Sequence, residues 1–157
     1  MNNMYSYQTE IGKIYIVENG TAITHLYFNQ CPLLNNVEKK ETELIKKAYK
    51  QLNEYILGER KNFDLPLSPE GTDFQKSIWK ALREIPFGET KSYGEIAKNV
   101  GNPKAARAVG MANNKNPIPI FIPCHRVIGA NGKLVGYAGG LKIKEYLLKI
   151  EQANPNS

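Results

Sequence analysis

The sequence predicts an α+β protein in which a small β-sheet with one helix, over residues 1–68, precedes a largely helical unit over residues 69–157. Three observations carry this. Strand-like alternation with an Asn-Gly turn occupies the first thirty residues, one long helical stripe follows it, and two capping boxes appear beyond a proline-marked linker.

Each element follows from local chemistry. Met4 to Thr9, Gly12 to Glu18 and Thr21 to Phe28 carry Tyr, Ile, Val and Thr in partial alternation, and Asn19-Gly20 is a hairpin turn signal. From Glu41 to Leu57 the residues Leu44, Ile45, Ala48, Leu52, Tyr55 and Ile56 recur at helical spacing, with Gly58 as terminator. The stretch from Asn62 to Pro69, with Pro66 and Pro69, reads as a linker.

Beyond it, Thr72-Asp73-Phe74-Gln75 and Ser92-Tyr93-Gly94-Glu95 match the capping box, in which each end satisfies a free backbone N–H of the other. Asn102-Pro103 predicts the start of a third helix. Tyr93 to Asn99 and Pro103 to Asn114, joined at Gly101, then have helix-turn-helix proportions. Prolines alternate with apolar residues from Asn116 to Pro123, which excludes a helix and predicts an extended, buried approach to Cys124. Asn131-Gly132 reads as a hairpin tip. Leu141 to Glu151 reads as a closing helix with Ile143, Tyr146, Leu147 and Ile150 on its inner face.

Composition narrows the function. Hydrophobic residues at 41% and aromatics at 10% exclude a disordered chain. No apolar stretch is long enough to span a membrane, and the N-terminus lacks the regions of a signal peptide, so a cytoplasmic protein is expected. The first 68 residues balance eight Lys/Arg against eight Asp/Glu. Residues 69–157 hold thirteen against seven, the whole of the +6 excess. Such segregation suggests a polyanion partner for the second half. Lys104, Lys115 and Arg126 are candidate phosphate contacts there, although Arg126 also suits a structural role inside the fold.

Cys31 and Cys124 are too far apart in sequence to suggest a disulfide in a reducing compartment, and each needs its own explanation. A cysteine after an apolar run is ordinarily a small core residue. In Pro123-Cys124-His125-Arg126-Val127, however, a thiol, an imidazole and a guanidinium follow one another inside the basic half. The thiolate is the nucleophile and a free thiol ionises near about pH 8.5, so a nearby base is required. On an extended backbone Cys124 and His125 point to opposite faces, which predicts a bridging water between them. A carboxylate would orient His125, and spacing alone does not choose which.

Residues 71–151 resemble the O6-alkylguanine-DNA alkyltransferases, the methylated-DNA–protein-cysteine methyltransferases. The resemblance is carried by Pro-Cys-His-Arg-Val at 123–127, Gly-Asn-Pro-Lys-Ala-Ala-Arg-Ala-Val-Gly at 101–110 and Gly-Tyr-Ala-Gly-Gly at 136–140. It implies a ribonuclease H-like N-terminal domain (1–68), whose residues match only in length and element order. A winged helix-turn-helix-like DNA-binding domain follows (69–157). It also implies that Cys124 accepts an alkyl group irreversibly from O6-alkylguanine, and from O4-alkylthymine, in double-stranded DNA, so that a monomer without cofactor is consumed in one turnover.

By the same resemblance His125 holds a water beside the thiol, and Glu151 rather than Glu145 completes the relay. Asn116 joins that network. Tyr93 and Tyr137 assist the leaving base, with Val127 and Ala138 at the base pocket. Some relatives carry serine in place of Ala138, which bears on substrate preference. Arg107 fills the gap left by a flipped nucleotide, and Ala106 with its small neighbours lets the helix approach the backbone. A four-ligand zinc site is not expected from Cys31, His25 and so few other ligands. A non-catalytic lesion-recognition protein is the alternative, and Cys124 argues against it. A helix-turn-helix regulator would leave the Cys-His run unexplained, and a Cys-His hydrolase would leave Arg107 and the basic half unexplained.

Overall fold

Strands β1 (Asn2–Thr9), β2 (Gly12–Glu18) and β3 (Ile23–Phe28) form an antiparallel meander in the computed structural model, which describes residues 2–129, 131–132 and 136–153. A short β4 (Val37–Lys39) pairs parallel with β1 and makes the order β3-β2-β1-β4. Three residues, two of them exposed, give no alternation to read, so β4 has no sequence signature. The predicted two-residue turn at Asn19-Gly20 is longer. The Asn19 side chain accepts from the Thr21 and Ala22 amides, which delays β3 to Ile23.

Alternation assigns the two faces of the sheet. Ile14, Ile16 and Leu26 lie in the large core together with Ile45, Ala48, Leu52 and Tyr55 of helix α1 (Glu43–Ile56). Met4, Tyr15 and Val17 enclose Cys31 on the other face. Helix α1 starts two residues later than its stripe suggested, because the Thr42 hydroxyl accepts from the Ile45 amide and fixes the cap. It ends where Gly58 adopts φ 78° and donates to the Tyr55 carbonyl. The predicted linker is pinned rather than loose: Ile23 and Ser68 exchange backbone hydrogen bonds with Pro66 and Ile23 at 2.8 Å, and the Gln51 amide clasps the backbone of Asp64.

Helices α2 (Asp73–Arg83) and α3 (Tyr93–Asn99) both begin with the complete capping box that their sequences predict, each cap typically contributing about 1 kcal/mol. Helix α4 (Ala106–Asn114) corrects the third expectation. Asn102 and Pro103 do not cap it, because the Asn102 amide donates to Ala97 and its carbonyl accepts from Ala105, making a separate turn after Gly101. The α4 N-cap, Ala105, has no side-chain hydrogen bond. Trp79 locks α2 to α4 by donating to the Ala112 carbonyl at 2.9 Å.

Two minimal strands, β5 (Lys91–Ser92) and β6 (Val127–Ile128), pair in parallel and bring the start of α3 beside the residues after Cys124. Asn131-Gly132 does form a turn, with the Gly132 amide donating to Gly129, while the continuation at 133–135 lies outside the described residues. Helix α5 (Leu141–Ala153) closes the fold. One continuous core runs from Ile11 to Leu147, so both halves of the chain share it.

Candidate active site

Asn116 organises the loop that carries the thiol. Its side-chain amide donates to the Ile122 carbonyl at 2.9 Å while its oxygen accepts from the Ile118 amide at 3.0 Å. The segment is buried, as predicted, but it folds back instead of running extended: Ile122 donates to Ile118, and Ile120 sits at φ 75°. A left-handed conformation costs a β-branched residue about 1–2 kcal/mol, which Asn116 and the surrounding core offset.

Cys124, His125 and Arg126 form one 3₁₀ turn, not an extended segment. Successive side chains there diverge by about 120° rather than 180°. His125 Nε2 lies 2.6 Å from Glu151 Oε2. A carboxylate only accepts, so Nε2 carries the proton and Nδ1 presents a lone pair. That Nδ1 is buried with no hydrogen-bond partner among the described residues, as are Asn113 Oδ1 and the Tyr137 hydroxyl.

Glu151 is the hub. Oε2 accepts from His125, from the Tyr55 hydroxyl at 2.6 Å and from Arg126 Nη2 at 3.1 Å; Oε1 accepts from Arg126 Nε at 2.9 Å and the Gly88 amide at 3.2 Å. Burial works against this carboxylate, but the His125 and Arg126 contacts outweigh it and hold its pKa at about 2. Burial likewise keeps His125 below the ordinary imidazole value, and so neutral, against the pull of Glu151. Cys124 is 3% exposed. Burial raises its pKa to about 11, opposed by the Asn116 amide and the Lys144 charge. At neutral pH the group is therefore a thiol.

Tyr93 and Tyr137 are close enough to Cys124 for a thiolate to disfavour their ionisation, after burial the second cause of their raised pKa values. Ala138 is exposed on the turn closed by Gly140 donating to Tyr137. Outside Tyr93 lies a hollow of about 600 Å³ lined by Gly94, Ala106, Arg107, Gly110, Met111, Asn114 and Gly136. Arg107 is exposed on its α4 side, Lys104 is exposed just before that helix, and Lys115 just beyond its end.

Two expectations change. Arg126 is not available to phosphate: its guanidinium is buried against Glu151, donates to the Ile85 carbonyl at 2.7 Å and stacks on Phe87. An arginine committed to a buried carboxylate has exchanged its solvent for that partner. The Val127 side chain is fully buried in the core, and its carbonyl accepts from Lys144 Nζ at 2.6 Å. Among the described residues no group of three or more His, Cys, Asp or Glu is placed to hold a metal ion.

Residues 4–69 match the ribonuclease-like domain of 6-O-methylguanine DNA methyltransferase, and residues 73–153 match its DNA binding domain. The chain belongs to this methyltransferase family. The methylated-DNA–protein-cysteine methyltransferase of Methanosarcina acetivorans is 69% identical over 69% of this chain and 70% of its own length. The constitutive enzyme of that name from Bacillus subtilis is 49% identical over 97% and 96%. A crystal structure of Mycobacterium tuberculosis OGT in complex with DNA superposes with a TM-score of 0.91 at 45% identity, covering 97% of this chain and 94% of that one. The likeness thus covers nearly the whole chain, its N-terminal half included.

Sequence reasoning missed Tyr55, Lys144 and Asn113, whose side chain donates to the Cys124 carbonyl at 3.4 Å. Tyr55 reads as one more apolar residue of the α1 stripe. Lys144 carried a usable signal, since it stands seven residues before Glu151 on the same helical face.

Proposed function

We propose that this protein repairs alkylated DNA by moving the alkyl group of O6-alkylguanine, and of O4-alkylthymine, onto Cys124 Sγ. Sulfur supplies the electron pair of the new C–S bond and the alkyl C–O bond breaks. The thiol proton passes towards His125 Nδ1, across a water, and from the imidazolium to solvent; Tyr93 and Tyr137 donate hydrogen bonds to the departing base, which takes up one proton from solvent as it leaves. The electron count closes without a cofactor. An S-alkyl thioether has no leaving path under these conditions, so each molecule acts once.

The buried Cys124, followed in the same turn by an imidazole whose Nδ1 has no partner among the described residues and whose Nε2 is fixed by Glu151, is the observation that carries this reading. A lesion-recognition role without chemistry leaves that arrangement unused. Within the proposal Lys144 favours the developing thiolate, and Ala138 borders the base. Arg107 enters the duplex where the nucleotide has been flipped into the hollow beside Tyr93, Ala106 allows close approach, and Lys104 and Lys115 meet phosphates. Residues 69–157 carry acceptor and DNA contacts, residues 1–68 buttress them, and the protein works in the cytoplasm as a monomer. Peptide mapping after incubation with duplex DNA containing O6-methylguanine tests the reading: methyl on the Cys124 peptide supports it, and methyl elsewhere contradicts it.

A further inference from the structure

The proposed relay draws one of its contacts from the other half of the chain. Tyr55 lies on α1, 96 residues before Glu151, and its ring is fully buried between Phe63 and Phe87 at centroid distances of 5.3 and 6.3 Å. Its hydroxyl reaches Glu151 Oε2 at 2.6 Å and lies 3.4 Å from His125 Nε2. Because the carboxylate only accepts, the single hydroxyl proton is directed at Oε2, the same oxygen that receives the His125 proton.

We propose that Tyr55 is a positioning residue of the alkyl-transfer site, its hydroxyl fixing Glu151 Oε2 so that His125 is held in the Nε2–H tautomer with Nδ1 free to act as base. This inference rests on the proposed His125–Glu151 relay. Two physical effects follow from the contact. Geometrically, Tyr55 and Arg126 hold Oε2 from two sides, so the carboxylate cannot rotate away from the imidazole. Electrostatically, a hydroxyl donor disperses the carboxylate's charge, which weakens its pull on a second imidazole proton and keeps the base unprotonated. Among the described residues, the other charged groups acting on the imidazole are Glu151 and Lys144 from α5 and Arg126 from its own turn; Cys124 precedes it in that turn, and Tyr137, from the loop before α5, faces Cys124, Tyr55 and Glu151.

The test compares single-turnover methyl transfer from an O6-methylguanine duplex across about pH 5.5 to 8.5 for the wild type, Y55F and H125Q. Phe keeps the ring packing and removes only the hydroxyl. Y55F is expected to lose about tenfold in rate near pH 6, and less near pH 8, as its acid limb moves up, with duplex affinity unchanged; partners that orient a functional histidine commonly matter by about 10–100-fold. Site-specific 3-fluorotyrosine at position 55, nearly isosteric and a stronger donor, is expected to move the acid limb the opposite way. It supplies the answer should Y55F fold poorly. An unshifted limb in both variants, or a loss of equal size at every pH, would assign Tyr55 to packing alone and overturn the proposal. If H125Q retains the wild-type rate, the relay itself is wrong; if H125Q is slow while the Tyr55 variants match the wild type, only the inference about Tyr55 fails.

Discussion

His125 Nε2 and Glu151 Oε2 stand 2.6 Å apart at nearly zero exposure, and because a carboxylate only accepts, the contact leaves the lone pair on Nδ1, the nitrogen that is the base of the proposed reaction. General-base assistance contributes about 10²–10⁴-fold to a rate. H125Q, which keeps much of the volume and removes the base, is therefore expected to slow methyl transfer by about 10²-fold or more. Single-turnover kinetics at saturating protein measure it, and an unchanged rate with unchanged duplex binding would leave His125 with a structural role only.

The same pair sets the pH behaviour of the reaction. Burial keeps His125 below its ordinary value of 6.5, so the base is neutral at pH 7 and is lost only as pH falls through that lowered value. The transfer rate is expected to be level through neutrality and to decline below about pH 6.5. An acid limb centred above that point in the wild type contradicts the electrostatic description.

Acid stability follows from Glu151. Its folded pKa of about 2 lies below the ordinary 4.5, so its contribution is fully present above about pH 5 and is lost as pH falls towards 2. A difference of that size is worth on the order of 3 kcal/mol. Urea unfolding at pH 6 and pH 3 should show a larger loss for the wild type than for E151Q, and equal losses would mean that the carboxylate carries no such linkage.

Arg126 and Arg107 are expected to behave in opposite ways. R126A leaves Glu151 buried with its main cation removed, which typically costs about 3–5 kcal/mol, and should lower Tm while leaving the salt dependence of DNA binding unchanged in the folded fraction. R107A should leave Tm near the wild-type value and reduce repair in duplex DNA far more than reaction with free O6-alkylguanine. Equal losses on the two substrates would remove the flipping role from Arg107.

What the sequence made legible was local. The Thr72–Gln75 and Ser92–Glu95 capping boxes and the Gly58 terminator are written within a few residues of chain and appear in the structure as read. The start of α4 was misread because Asn102 and Pro103 have the chemistry of a cap but spend their backbone groups on a turn. Side-chain commitments across the fold were harder. In sequence Arg126 suits either a phosphate contact or a structural role inside the fold, and only its contacts with Glu151 and Ile85 decide for the second. Tyr55 is indistinguishable in sequence from its neighbours on the α1 stripe, since only the tertiary fold aims its hydroxyl across 96 residues at Glu151. Family resemblance named Cys124, His125, Asn116 and Glu151 together, and the structure gathers these four around one turn and one loop. Their roles remain those of the proposed reaction.

The most direct measurement is the intact mass of the protein after incubation with an excess of duplex DNA bearing O6-methylguanine, alongside C124S. The account predicts one methyl group per molecule, located on Cys124, no further demethylation once the protein is spent, and no transfer to C124S. Continued turnover, or methylation of C124S, would contradict it.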